Sequence, residues 1–168
     1  MLLIVNAGSS SLKLAVYDGP DPVAREAEEE IGSDGHAAAL DGALRRTGIP
    51  ASALQGAAHR VVHGGPRLTA ACRITSEVHA EINAAVPLAP LHNPAALVGI
   101  QAVVRLLPNL PQYAAFDTAF HATNPEVATA YALPLAERVN DAARLVIAPV
   151  LDEAARRVLE HRAPMACR

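Results

Sequence analysis

Residues 2–5 and 12–17 are two short apolar runs held apart by only six residues, Asn6, Ala7, Gly8 and the serines Ser9 to Ser11. Both runs contain β-branched residues and are too short for helices, so they read as strands buried on both faces. Six small and polar residues between them suit a hairpin. The run after the turn carries Lys13, the only lysine in the chain.

The rest of the chain alternates strand and helix signals. Residues 23–31 read as a third strand, although Glu28 to Glu30 suit a helix equally. Residues 36–47 place Ala38, Leu40, Ala43 and Leu44 at helical spacing, and Gly48 and Pro50 end that helix. Residues 54–65 read as a strand carrying Arg60 and closing on Gly64 and Gly65. Ser76 is the expected cap of a helix reaching about Ala85, broken by Pro87 and Pro90. Asn93 and Pro94 are the expected N-cap and first residue of another helix, with Leu97, Ile100, Val104 and Leu107 on its apolar face. A short strand at 112–116 then delivers Asp117 at its carboxyl end, where open α/β sheets carry their chemistry. Further on, 125–138 reads as helix, 143–150 as strand and 152–161 as an amphipathic closing helix.

Composition narrows the function classes. At 168 residues the chain fits one domain, and 51% hydrophobic with 3% aromatic residues demands a core of Ala, Val, Leu and Ile. A net charge of -3 without a Lys/Arg-rich block argues against a nucleic-acid partner. Cys72 and Cys167 show no CxxC spacing, so neither zinc nor a disulfide framework is indicated and two reduced thiols are expected. The first apolar run is too short for a signal sequence, and no segment approaches the ~18 apolar residues of a membrane span. A soluble, cytoplasmic protein with no membrane partner is the expectation.

Four segments carry candidate chemistry. The turn NAGSSSLK offers backbone N–H groups, hydroxyls and an ammonium, which can surround phosphate oxygens or simply form a polar hairpin. In HRVVHGG, Arg60 can fork onto a carboxylate or phosphate, and Val62, two residues on, shares its strand face; a surface ion pair and a core valine are the plainer alternatives. In APLHNPA, His92 stands beside a helix start, suited to an anion or to a purely structural bond. In FDTAFH, Asp117 and His121 could position a nucleophile, organise metal-bound water or act as base, or Asp117 could cap a helix. His36, His79 and His161 fall on helices expected to be solvated and receive no role.

Taken in order, LIVNAGSSSLK, HRVVHGG, APLHNPA, FDTAFH and YALP at 131–134 resemble the acetate kinase family, whose close relatives include propionate and butyrate kinases. The resemblance implies an α/β fold of the ribonuclease H-like, actin-like ATPase type, a mixed central sheet with flanking helices. Residues 1–135 would form the acetate kinase-like N-terminal domain, and 136–168 a divergent strand and helix packed on it. It further implies a phosphotransferase with a carboxyl group as acceptor, moving the ATP γ-phosphoryl group reversibly to acetate to give acetyl phosphate and ADP, with Mg²⁺. On that pattern Asn6 lies near the metal and phosphates, Lys13 contacts the nucleotide phosphates, and Ser9 and Ser11 line the loop. Arg60 grips the acetate carboxylate, Val62 and Leu91 wall its methyl pocket, His92 assists, and Asp117 is the catalytic carboxylate. Family chains are more than twice as long and place the active site between two domains. Weak or absent catalysis by this chain alone is therefore expected, with a homodimer or a complementing second-domain chain as partner. The alternative is a non-catalytic domain that binds a small carboxylate, an acyl phosphate or a partner chain.

Overall fold

The computed structural model describes residues 1–32 and 35–125. The helix expected at 125–138, beyond Pro125, and the elements expected at 143–150 and 152–161 lie outside the described residues. Six strands and three helices are described: β1 Leu2–Ala7, β2 Leu12–Asp18, β3 Asp21–Glu28, α1 His36–Thr47, β4 Gly56–Val61, β5 Cys72–Arg73, α2 Ser76–Ala84, α3 Asn93–Leu106 and β6 Gln112–Phe116. A 3₁₀ turn, Asp117–His121, follows β6 directly.

The strands form one mixed sheet in the order β3-β2-β1-β4-β6-β5. The first three strands are an antiparallel meander, while β1, β4 and β6 run parallel at the centre. Each parallel link passes through helical segments, as parallel pairing requires. β1 is buried along almost its whole length, and β3, with Pro22 near its start, is the exposed edge. The ambiguity over Glu28 resolves as the end of this strand.

One face of the sheet packs against α1 and α3. Leu3, Val5, Leu14 and Val16 meet Leu40, Ala43, Ala102 and Val103 there, and Val61, Ala114 and Phe116 extend the layer to Ile82, Leu97 and Ile100. On the opposite face Leu2, Ile4, Tyr17 and Ala58 form a separate cluster. Alanines in the central strands keep the layers close. A Cβ added at Gly99 of α3 would sit only 3.0 Å from the Ala7 Cβ.

His59 lies within this interior, sharing its face of β4 with Ala57 and Val61. Its Nε2–H donates to Gln112 Oε1 across the β4–β6 pair at 2.7 Å, and both residues are buried. Burial pushes the imidazole from 6.5 down to about 4, outweighing the upward pull of the Gln112 bond.

Some local expectations shift. Thr75, not Ser76, caps α2, its hydroxyl accepting from the Val78 amide. His92, not Asn93, is the N-cap residue of α3. Val104 is 51% exposed while Val103 takes the inward position. Cys72, expected as a reduced thiol, is buried in β5 and is not a free thiol; Cys167 lies outside the described residues. Among the described residues no helix is long and apolar enough to cross a membrane.

Candidate active site at the carboxyl ends of the parallel strands

The register of the sheet draws four candidate residues together. Asn6 pairs with Lys13 across β1 and β2, on the face that carries Ile4 and Ala15. Ile4 aligns with Ala58 on β4 in parallel register, so two residues on, Asn6 and Arg60 follow on that same face. Arg60 in turn aligns with Ala115 on β6, two residues before Asp117. Lys13, Asn6, Arg60 and Asp117 therefore lie in a row across β2, β1, β4 and the end of β6. This is the face opposite α1 and α3, at the carboxyl ends of the three parallel strands.

Arg60 and Asp117 are joined by a fork. Nε of Arg60 donates to both carboxylate oxygens at 3.1 Å, and Nη2 donates to Oδ2 at 2.7 Å. Asp117 is only 1% exposed, whereas the Arg60 side chain retains 25% exposure. Burial drives the Asp117 carboxyl above its ordinary value; Arg60 and the nearby charge of His92 pull the other way. Asp117 caps no helix, since its side chain is engaged 57 residues away in sequence.

Three loops are bound to one another around this pair. Asn93, fully buried at the start of α3, accepts from the His63 amide at 3.1 Å and donates through Nδ2 to the His63 carbonyl at 2.9 Å. Gly64 N–H donates to Thr118 Oγ1 at 3.1 Å, tying the segment after β4 to the turn after β6. Gly65 N–H donates to His63 Nδ1 at 2.9 Å, which places the ring hydrogen of a neutral imidazole on Nε2. A side chain at Gly64 would run into the Leu68 backbone carbonyl, so the tight path of this turn requires glycine. Asn93 thus serves as a clamp between segments, a role that its expected place as a helix cap does not reveal.

The remaining candidates sit around the rim. Lys13 and His92 are exposed, Asn6 and Val62 half-buried, and Leu91 is 75% exposed. The side chain of His121 lies outside what the structure describes. Ser9 and Ser10 are exposed at the hairpin tip. A depression of about 270 Å³ adjoins the row, lined by Lys13, Tyr17 and Arg25 among others.

His36 is the clear departure. Expected on a solvated helix, it is 3% exposed, and its Nε2 lies 2.7 Å from the Gly8 carbonyl oxygen of the β1–β2 turn. Its sequence position, four residues after Gly32 with apolar alanines following, carries no local sign of that contact.

Magnesium is the metal that the resemblance implies. Among the described residues there is no cluster of three His, Cys, Asp or Glu side chains able to hold an ion. Mg²⁺ commonly takes one or two carboxylates and completes its shell with water and substrate phosphates. The Asn6 amide and the Asp117 carboxylate are hard oxygen donors of that kind; both Asp117 oxygens already accept from Arg60, which leaves the half-buried Asn6 amide as the more accessible donor.

Comparison with known proteins agrees with this architecture. The model of the acetokinase family matches residues 39–144. Among curated relatives, the acetate kinase of Micrococcus luteus is 45% identical over 149 residues, covering 80% of this chain and 38% of that protein. The acetate kinase of Deinococcus radiodurans is 42% identical, covering 79% and 39%. Among solved structures, Porphyromonas gingivalis acetate kinase superposes with a TM-score of 0.75 at 33% identity, covering 81% of this chain and 42% of that one. A propionate kinase from Francisella tularensis gives 0.67 at 30%, covering 80% and 41%. The chain thus spans about two fifths of the length of these relatives. The mixed sheet and its flanking helices are those of the ribonuclease H-like, actin-like ATPase fold, and the chain belongs to the acetokinase family.

Proposed function

We propose that this chain supplies the carboxylate-binding side of an acetate kinase-type phosphotransferase, which moves the ATP γ-phosphoryl group reversibly to acetate or another short carboxylate. The observation that carries the reading is the row Lys13, Asn6, Arg60 and Asp117 at one end of the sheet. Phosphoryl transfer needs positioning and charge stabilisation more than covalent chemistry, and acetate is already an anion at neutral pH.

Each residue has a role on this reading. Arg60 has five N–H donors; Nε–H and one Nη2–H are spent on Asp117, which leaves three for an incoming anion. Asp117 fixes the direction of that guanidinium, and the Asn6 amide offers a hard oxygen on the phosphate side. Lys13 meets the nucleotide phosphates as a flexible point charge. Bound Mg²⁺ would neutralise the phosphate charge during transfer. Val62 and Leu91 would flank the methyl end of the acid, and the high exposure of Leu91 calls for a further surface to close over it.

Assayed alone, the 168-residue chain should turn over far below the roughly 1–100 s⁻¹ of ordinary kinases. Removing one transition-state donor typically costs about 10²–10³ in rate, and this chain spans about two fifths of the length of its relatives. Hydroxamate formation from acetate and ATP measures this, and ordinary turnover would refute the expectation. Calorimetric titration with acetyl phosphate tests the site itself. Arg60→Ala should weaken binding by about 1.5–3 kcal/mol, the range for a charged hydrogen bond. Equal affinities for folded variant and parent would remove Arg60 from the site.

A further inference from the structure

The β1–β2 turn is held in an unusual way. Gly8 N–H donates to the Ser11 carbonyl at 2.7 Å, but no return bond from Ser11 N–H to the Gly8 carbonyl closes the loop. The Gly8 carbonyl instead points to His36 Nε2 at 2.7 Å, across 28 residues of sequence. Ile31 N–H meanwhile donates to the Ser10 carbonyl at 2.9 Å. Two carbonyls of the turn are therefore held from outside it, one by Ile31 in the segment between β3 and α1 and one by His36, the first residue of α1. Among the described residues the amides of Ser9, Ser10 and Ser11 donate to no protein group. A Cβ at Gly8 would sit 2.7 Å from Ser11 Oγ, so glycine there keeps room for that hydroxyl.

The partner of the histidine fixes its tautomer. A carbonyl only accepts, so Nε2 carries the hydrogen and donates. Nδ1 is buried and has no partner. A buried polar atom left unsatisfied works against stability and asks for a compensating purpose.

We propose that His36 is a positioning residue of the phosphate-facing hairpin: its bond to the Gly8 carbonyl turns that peptide away, leaving the Ser9, Ser10 and Ser11 amides free to receive phosphate oxygens. Successive unpaired backbone amides form an anion-binding concavity of the kind phosphates use. The inference rests on the proposed function, in that it takes the hairpin to meet phosphate.

The test contrasts two amides of different reach. In His36→Gln the amide nitrogen falls near the position of Nε2 and can still donate to Gly8. In His36→Asn it falls near that of Nδ1 and is too short. The probe is inorganic tripolyphosphate, titrated into the full 168-residue chain and followed by the ¹⁵N resonances of Ser9 to Ser11, with melting temperature recorded for each variant. The parent should show saturable shifts of these amides. His36→Asn should weaken binding about five- to tenfold, the scale of one hydrogen bond, and displace the amide resonances before ligand is added. His36→Gln should stay within about twofold of the parent. A folded His36→Asn that binds as tightly as the parent overturns the role of His36 and leaves the phosphate reading standing. Parent amides that do not respond to tripolyphosphate overturn the phosphate reading and the inference with it. Should His36→Asn fail to fold, a His36→Gln variant that folds but binds more than fivefold weaker overturns the proposal, and parental binding by it supports the bond.

Discussion

Asn93→Ala is expected to destabilise the folded chain by about 2–6 kcal/mol, because it strips partners from two buried backbone groups at once. Asn93 is fully buried, accepts from the His63 amide and donates to the His63 carbonyl. Alanine leaves that N–H and that C=O without these bonds, at about 1–3 kcal/mol each. Asn93→Asp should do no better, since a carboxylate oxygen would then face the His63 carbonyl. Urea unfolding monitored by circular dichroism measures the loss. A shift below about 1 kcal/mol would show that the clamp contributes little. The damage should reach Arg60 as well: the segment held by Asn93 continues to Gly64, which is tied to Thr118 beside Asp117.

Acidification from pH 7 to pH 4 should remove up to about 3 kcal/mol of stability through His59 alone. The imidazole is held near 4 in the folded chain against 6.5 when exposed. Between these values the unfolded chain binds a proton that the folded chain refuses, so stability falls as pH falls through the window. At about 1.4 kcal/mol per pH unit, the difference integrates to about 3 kcal/mol. His59→Gln, which offers Gln112 an amide in place of the ring, should flatten this part of the profile. Equal slopes for parent and variant between pH 6.5 and pH 4 would assign the acid sensitivity elsewhere. Asp117 works in the opposite sense. Its carboxyl is raised above 3.8, so its contribution is fully present below that value and is lost as pH rises through the folded-state value. Subtracting the variant profile from that of the parent isolates the histidine.

Elements whose signals are local were legible from the chain. The hairpin strands, α1 ended by Gly48, and β6 all follow from apolar period and breaker residues, and each lies where those signals put it. Helix starts moved by a single residue, since Thr75 and Ser76 are both competent caps. The inward face of α3 was only half determined. From Ile100, both Val103 and Val104 lie at helical spacing, and the choice fell to Val103 because α1 brings Leu40 and Ala43 to that side. β5, with two residues, is too short to show an alternation.

The site divides along the same line. Asn6, Lys13, Arg60 and Asp117 were visible as chemistry set beside turns, and the sheet register gathers them. The bonds that give them their working form were not visible. Arg60 to Asp117 spans 57 residues, His63 to Asn93 spans 30 and His36 to Gly8 spans 28. Such pairings depend on strand order, which no window of sequence contains. The contact of His36 escapes a local reading for that reason, and Asn93, whose local signal is that of a helix cap, has its partners far away in sequence.

The closed fork between Arg60 and Asp117 has a bearing on how a ligand would be chosen. A free arginine surrenders about 2 kcal/mol of rotamer entropy when a ligand immobilises it. Arg60 has already made that concession on folding, so an arriving anion meets donors fixed in direction. The two charges also cancel before any ligand arrives, and long-range attraction at this point is correspondingly faint. On the proposed function, recognition here would be decided by fit rather than by pull. A small planar carboxylate that matches the three remaining N–H directions would be kept, while a bulkier anion of equal charge would gain little from the encounter.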